Sequence, residues 1–185
     1  PSNGATYDVE LCADIPINGN PNINVFLDKP GHAFLQITKT NGTASLSRSF
    51  GFYPKDQYSS LTLDPVESVI LEDNLHAYDA KIRMSLTETQ YNQLMNYSIN
   101  LANNTQYDLN NYNCVNFALD CFNSVLSSGN KISAPNIPIG YITNGKTPAS
   151  LYSNLVNMKN SNYHNLASNI TIATSLSSPS SGQCN

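Results

Sequence analysis

Apolar and polar residues alternate through part of Thr6-Tyr7-Asp8-Val9-Glu10-Leu11-Cys12-Ala13-Asp14-Ile15, a two-residue period that predicts a first strand over 6–15. A second β-prone run, Gly31-His32-Ala33-Phe34-Leu35-Gln36-Ile37, is introduced by Lys29-Pro30-Gly31 and followed by the turn signal Asn41-Gly42. Together these predict a hairpin with strands at 32–39 and 44–52. Residues 66–72 and 76–86 read as two further strands. The period then lengthens. Thr87 and Gln90 have the spacing of a capping box, and the helix they open is expected to bury Tyr91, Leu94, Met95, Leu101 and Ala102. Asparagine-rich residues 103–112 form a loop, since asparagine favours turns and helix caps. Cys114, Phe117, Ala118, Cys121, Phe122 and Val125 recur at i, i+3, i+4 and i+7 and predict a second buried helix. Thr147-Pro148 marks a third, with threonine as cap, proline in the first turn, and Leu151, Leu155 and Met158 inward.

The outline is therefore α+β, an antiparallel sheet packed against helices, with no internal repeat. At 185 residues the chain suits one well-cored domain, expected over 1–174. The Ser/Pro/Gly-rich stretch 175–185 has little to bury and is expected to be a flexible tail. Charged residues make up only 12% of the chain and the net charge is −4, so there is no basic footprint and nucleic acid is not expected as a partner. Asparagine, serine and threonine carry most of the polarity, which suits a neutral, hydrogen-bonding surface compatible with a glycan or peptide substrate. No apolar run approaches the roughly 20 residues of a membrane span. The sequence starts at Pro1 without methionine and without a visible leader, from which removal of upstream residues is expected, whether from an exported precursor or by trimming of the chain.

Candidate chemistry begins with Cys114, on the first turn of its helix. A helix N-terminus carries unsatisfied N–H groups and about half a positive charge, which favours thiolate, the form that attacks a carbonyl carbon. An isolated cysteine is more often a small core residue, and a lone histidine more often a satisfied structural group. His32, at the start of the first hairpin strand, changes the balance for both. A thiol hydrolase needs a histidine that reaches the thiol and later protonates the leaving group. Metal chemistry has no matching pattern: His32, His76 and His164 are scattered, and neither Cys-x-x-Cys nor His-Glu-x-x-His occurs. Neither a phosphate-binding glycine loop nor a Gly-x-Ser-x-Gly elbow is present. No metal and no cofactor are expected.

Papain-type peptidases place the cysteine before the histidine, whereas here His32 comes first. With Gly31-His32-Ala33-Phe34 ahead of Asn113-Cys114-Val115-Asn116-Phe117-Ala118-Leu119-Asp120, the chain resembles the circularly permuted, bacterial branch of the NlpC/P60 papain-like superfamily. Phe50-Gly51-Phe52-Tyr53-Pro54, Leu86-Thr87-Glu88-Thr89-Gln90-Tyr91 and Lys146-Thr147-Pro148-Ala149-Ser150-Leu151 fit the same pattern, so that the resemblance covers roughly residues 25 to 156. It implies a papain-like fold, a Cys114/His32 thioester mechanism on a peptide or isopeptide bond, plausibly in peptidoglycan, and a periplasmic, secreted or cell-surface enzyme.

Such a site usually adds a polar residue that fixes the histidine tautomer, in this family from the strand after the histidine strand. A turn centred near Asn41-Gly42 brings residues 49 to 51 opposite His32 and makes Ser49 a candidate. His76 is the other, with Asp79 a further option. Asn116 is expected to hydrogen-bond at the helix start and Asn113 to cap it. If Cys114 is the nucleophile it stays reduced, and the other cysteines allow one bridge, Cys12 with Cys184 or Cys12 with Cys121; the position of Cys121 on the buried helix face suits core filling instead. Two other classes stay open. Lecithin–retinol acyltransferase relatives share the permuted order and act on acyl lipids, but typically carry a second histidine in the next strand, which is lacking between His32 and His76. The other is a non-catalytic binding module on the same frame.

Overall fold

The strand expected at 6–15 becomes the middle of the sheet. In the computed structural model, which describes residues 4–17, 19–21, 31–56, 64–139, 143–162 and 164–173, it forms β1 (Thr6–Asp14). β2 (His32–Asn41) and β5 (Ala80–Leu86) pair with it on either side. β3 (Ala44–Pro54) and β4 (Ser68–Glu72) continue the sheet beyond β2, and β8 (Ile170–Ile172) lies outside β5. The order is β4-β3-β2-β1-β5-β8, and every pairing is antiparallel. β6 (Ile137–Ile139) and β7 (Thr143–Gly145) form a separate two-stranded ribbon. The helices are α1 (Glu88–Asn104), α2 (Cys114–Asn123) and α3 (Pro148–Ser161).

A central strand buried on both faces has to solve two problems. Val9, Leu11 and Ala13 join Leu35, Ile37, Phe52, Val115, Phe117, Phe122, Leu151 and Leu155 in one apolar core, so α2 and α3 close over the sheet. Of the alternate residues, Asp8, Glu10 and Asp14 are charged, and a buried charge is tolerated only when partnered. Asp8 accepts from Arg83 at 2.7 Å and Ser85 at 2.7 Å, Glu10 from Lys81 at 3.0 Å, and Asp14 pairs with His76 at 3.2 Å.

Helix starts follow the local chemistry. Thr87 and Thr147 each cap their helix with a reciprocal capping box, and Pro148 occupies the first turn of α3. Of the face expected for α1, Leu94 is fully buried, while Tyr91, Met95, Leu101 and Ala102 pack half-buried against the core. α2 stops at Asn123, so Val125 is buried beyond its end.

Two strand expectations shift. The hairpin closes at Asn41↔Ala44, placing the turn at Gly42-Thr43, and Gly42 takes the positive φ of 59° that the turn requires. Residues 76–79 lie outside β5. A turn at Asp73–His76, with His76 N–H donating to the Asp73 carbonyl at 3.0 Å and Leu75 at φ 67°, ends the extended run there. The ribbon and β8 had no counterpart among the expected elements, three residues being too few to display a period. No helix among the described residues is long and apolar enough to cross a membrane. The expected tail at 175–185, and with it Cys184, lies outside the described residues.

Candidate active site

β2 begins directly after Gly31, whose φ is 74° and whose missing side chain leaves room for the backbone carbonyl of Asp14; an added Cβ would collide with that oxygen. The close crossing sets His32 level with Asp14 on β1. On the other side Phe34 pairs with Gly51, so the next step along the ladder brings Tyr53 beside His32. The two rings stack with centroids 4.5 Å apart.

The histidine is oriented by a carboxylate. His32 Nε2 lies 3.1 Å from Asp73 Oδ2, with side chains only 2% and 5% exposed. Asp73 Oδ1 accepts from the Tyr53 hydroxyl, and the Asp73 N–H donates to the Ser49 carbonyl at 2.9 Å. The line from His32 to Asp73 passes over Gly51. A Cβ there would fall well inside van der Waals contact of His32 Nε2 and Asp73 Oδ2 and 2.8 Å from His32 Cε1. Glycine is therefore required by space rather than by backbone conformation.

The thiol meets the other end of this line. Cys114 opens α2, close enough to His32 for its sulfur to act on the imidazole. Asn113 fixes the helix start: its Oδ1 accepts from Val115 N–H at 2.9 Å, while its Nδ2 donates to the carbonyls of Leu109 at 2.9 Å and Lys146 at 2.8 Å. Asn116 completes the box by accepting from Asn113 N–H at 3.3 Å. Asn113→Ala is expected to lower stability by at least the roughly 1–2 kcal/mol of a lost cap. A melting point lower by about 5 °C in calorimetry would match that loss in a chain of this size.

Burial alone would push His32 towards neutrality. Hydrogen bonds and charge from Asp73 and Cys114 outweigh it and raise the imidazole from 6.5 to about 9, so the ring is cationic at neutral pH. The other two described cysteines are different. Cys12 and Cys121 are thiols wholly enclosed in the sheet and on α2, and burial pushes both pKa values up, that of Cys121 to about 12. No bridge joins them.

The structure brings His32 and Cys114 together and puts the remaining candidates elsewhere. Ser49 faces Gln36, further along β3 from the histidine, and serves the site through its carbonyl, which holds Asp73. His76 bonds Asp14, its ring edge-on to His32 at 5.5 Å. Asp79 accepts from Ile15 N–H at 2.8 Å. Asp73 takes the orienting position that sequence reasoning assigned to those residues. The available signal was Asp73-Asn74, a turn-forming pair just after an expected strand. Among the described residues, no group of three or more His, Cys, Asp or Glu side chains converges as a metal site. No family model, curated protein or solved structure matches this chain.

Proposed function

We propose that the chain is a cysteine hydrolase of permuted papain-like type that cleaves a peptide or isopeptide bond in peptidoglycan, as an exported bacterial enzyme. The observation that carries this reading is the line Cys114, His32, Asp73, in which the carboxylate is hydrogen-bonded to the imidazole and the sulfur acts on the same ring. Asp73 engages Nε2, so Nδ1 is the nitrogen assigned to proton exchange with sulfur. The Cys114 thiolate adds to the amide carbonyl carbon, with negative charge developing on oxygen near the positive end of α2. His32 gives its proton to the amide nitrogen, the C–N bond breaks and an amine leaves. Water, losing a proton to His32, then attacks the thioester, releasing a carboxylic acid and restoring the thiol. Every proton is handled by His32, and no cofactor is needed.

One observation favours the binding module as a second reading: Cys114 is only 4% exposed and His32 2%. An acyl-lipid activity is less well supported, because Asp73, rather than a second histidine, orients the ring. Incubation with muropeptides and, separately, with acyl phospholipids distinguishes these cases, with C114A protein as the blank. Amine release from muropeptides together with rapid iodoacetamide labelling mapped to Cys114 is the expected result. Turnover of the lipids alone would establish the acyltransferase class, and an inert Cys114 thiol would leave the module.

A further inference from the structure

A second cluster of buried ionisable groups lies behind His32. Asp14, 3% exposed, uses Oδ2 to hold His76 at 3.2 Å, while its Oδ1 is buried with no hydrogen-bond donor. An acceptor left in that state is costly, and such groups in folded proteins are rare. The neighbouring side chain is Asp79, also 3% exposed, whose Oδ2 takes the Ile15 N–H. Its backbone ties three strands together at this point: N–H to the Ala13 carbonyl at 2.8 Å, and carbonyl to the Ala173 N–H at 2.6 Å. Two carboxylates repel, but one proton between them turns the contact into a hydrogen bond and satisfies the orphaned oxygen.

The groups facing Asp79 agree with that reading. Asp14 comes from β1, Tyr152 of α3 is close enough for its hydroxyl to feel the Asp79 charge, and the Ala173 amide, just after β8, donates to the Asp79 carbonyl. Burial raises the Asp79 acid first; the Ile15 N–H opposes the shift and Asp14 adds to it, leaving it at about 6.

We propose that His76 is a positioning residue for the catalytic imidazole, held in place by Asp14 only while Asp79 carries a proton that it donates to Asp14. This rests on the thiol-hydrolase reading. The His32 ring is confined between the face of Tyr53, at 4.5 Å, and the edge of His76, at 5.5 Å, and His76 also meets Phe34 at 5.1 Å. When that proton leaves, Asp14 and Asp79 repel, the hold on His76 slackens and His32 loses one wall.

The test is the rate of Cys114 alkylation by iodoacetamide in the full chain between pH 4.5 and 8. Ionisation of a thiol only accelerates alkylation as pH rises, so a fall has to come from elsewhere. The wild type is expected to slow roughly tenfold, a fraction of what a 1 Å misplacement of a reacting group produces, in a step centred near pH 6. In Asp79→Asn the side-chain oxygen still accepts from Ile15 while the amide donates permanently to Asp14. The step should vanish and the acid-side rate should persist to pH 8. His76→Phe, which keeps a ring but loses the bond to Asp14, should also have no step. A reactive Cys114 with no step in the wild type, or a step that survives in either variant, overturns the inference and spares the hydrolase reading. A thiol inert at every pH ends both.

Discussion

Gly51→Ala is expected to reduce turnover by at least a hundredfold, the loss that follows a displacement of about 1 Å in a reacting group. The methyl would occupy the line between His32 Nε2 and Asp73 Oδ2, and neither group has room to retreat. His32 is stacked on Tyr53, and Asp73 is held by the Tyr53 hydroxyl and by its own N–H to Ser49. Either the imidazole turns away from the carboxylate or β3 moves from β2. Overpacking of this kind adds a stability loss of about 1–3 kcal/mol. Substrate KM should hardly change, because Gly51 lies beneath the dyad. Steady-state kinetics with calorimetry on the same preparation checks both effects, and near-wild-type kcat in a folded G51A protein would remove Asp73 from the orienting role.

Asp73→Asn separates charge from shape. The amide fills the same space, so the fold and the Tyr53 contact should survive, but the anion facing Nε2 is gone and the preferred tautomer can reverse. Loss of between about a hundredfold and ten-thousandfold in kcat is expected from the behaviour of such orienting carboxylates. The pH dependence of stability provides an independent check. In the folded wild type His32 holds its proton up to about 9, against 6.5 for an unperturbed imidazole. The raised value means that this stabilisation is complete below pH 6.5 and is lost as pH rises through about 9. Melting temperature should therefore fall across that interval in the wild type and fall less in D73N, where only Cys114 still favours the cation. Equal slopes in the two proteins would show that Asp73 contributes no charge to the pair.

Features decided within a few residues were legible in the sequence. Thr87, Asn113 and Thr147 cap the three helices because each cap bonds an amide no more than three residues away. The alternation of β1 and the spacing of α2 likewise reflect faces set by local geometry. What escaped was set across the sheet. A turn at Gly42-Thr43 in place of Asn41-Gly42 moves every cross-strand pair by two, taking Ser49 further from His32, shifting Gly51 one step off its level and bringing Tyr53 beside it. Asp73 depends on a second register, that of β4 on β3, with Phe50 opposite Glu72, and nothing in the spacing of the chain connects it to His32. His76 read as the start of a strand because Ala77 and Tyr78 extend the pattern backwards, whereas the turn from Asp73 withholds it from the ladder.

The base and its carboxylate lie on or beside β2, β3 and β4, while the nucleophile follows only after β5 and α1. During synthesis, the ribosome thus delivers a half-site with an imidazole and no sulfur, and chains broken off before α2 stay chemically silent. Completing the centre demands that α2 dock back on strands made much earlier, a distant closure of the sort that slows folding. Under the proposed hydrolase function, in a cell whose own wall contained the susceptible bond, that delay would work as a built-in safeguard, keeping the unfinished protein harmless until the last helices have found the sheet.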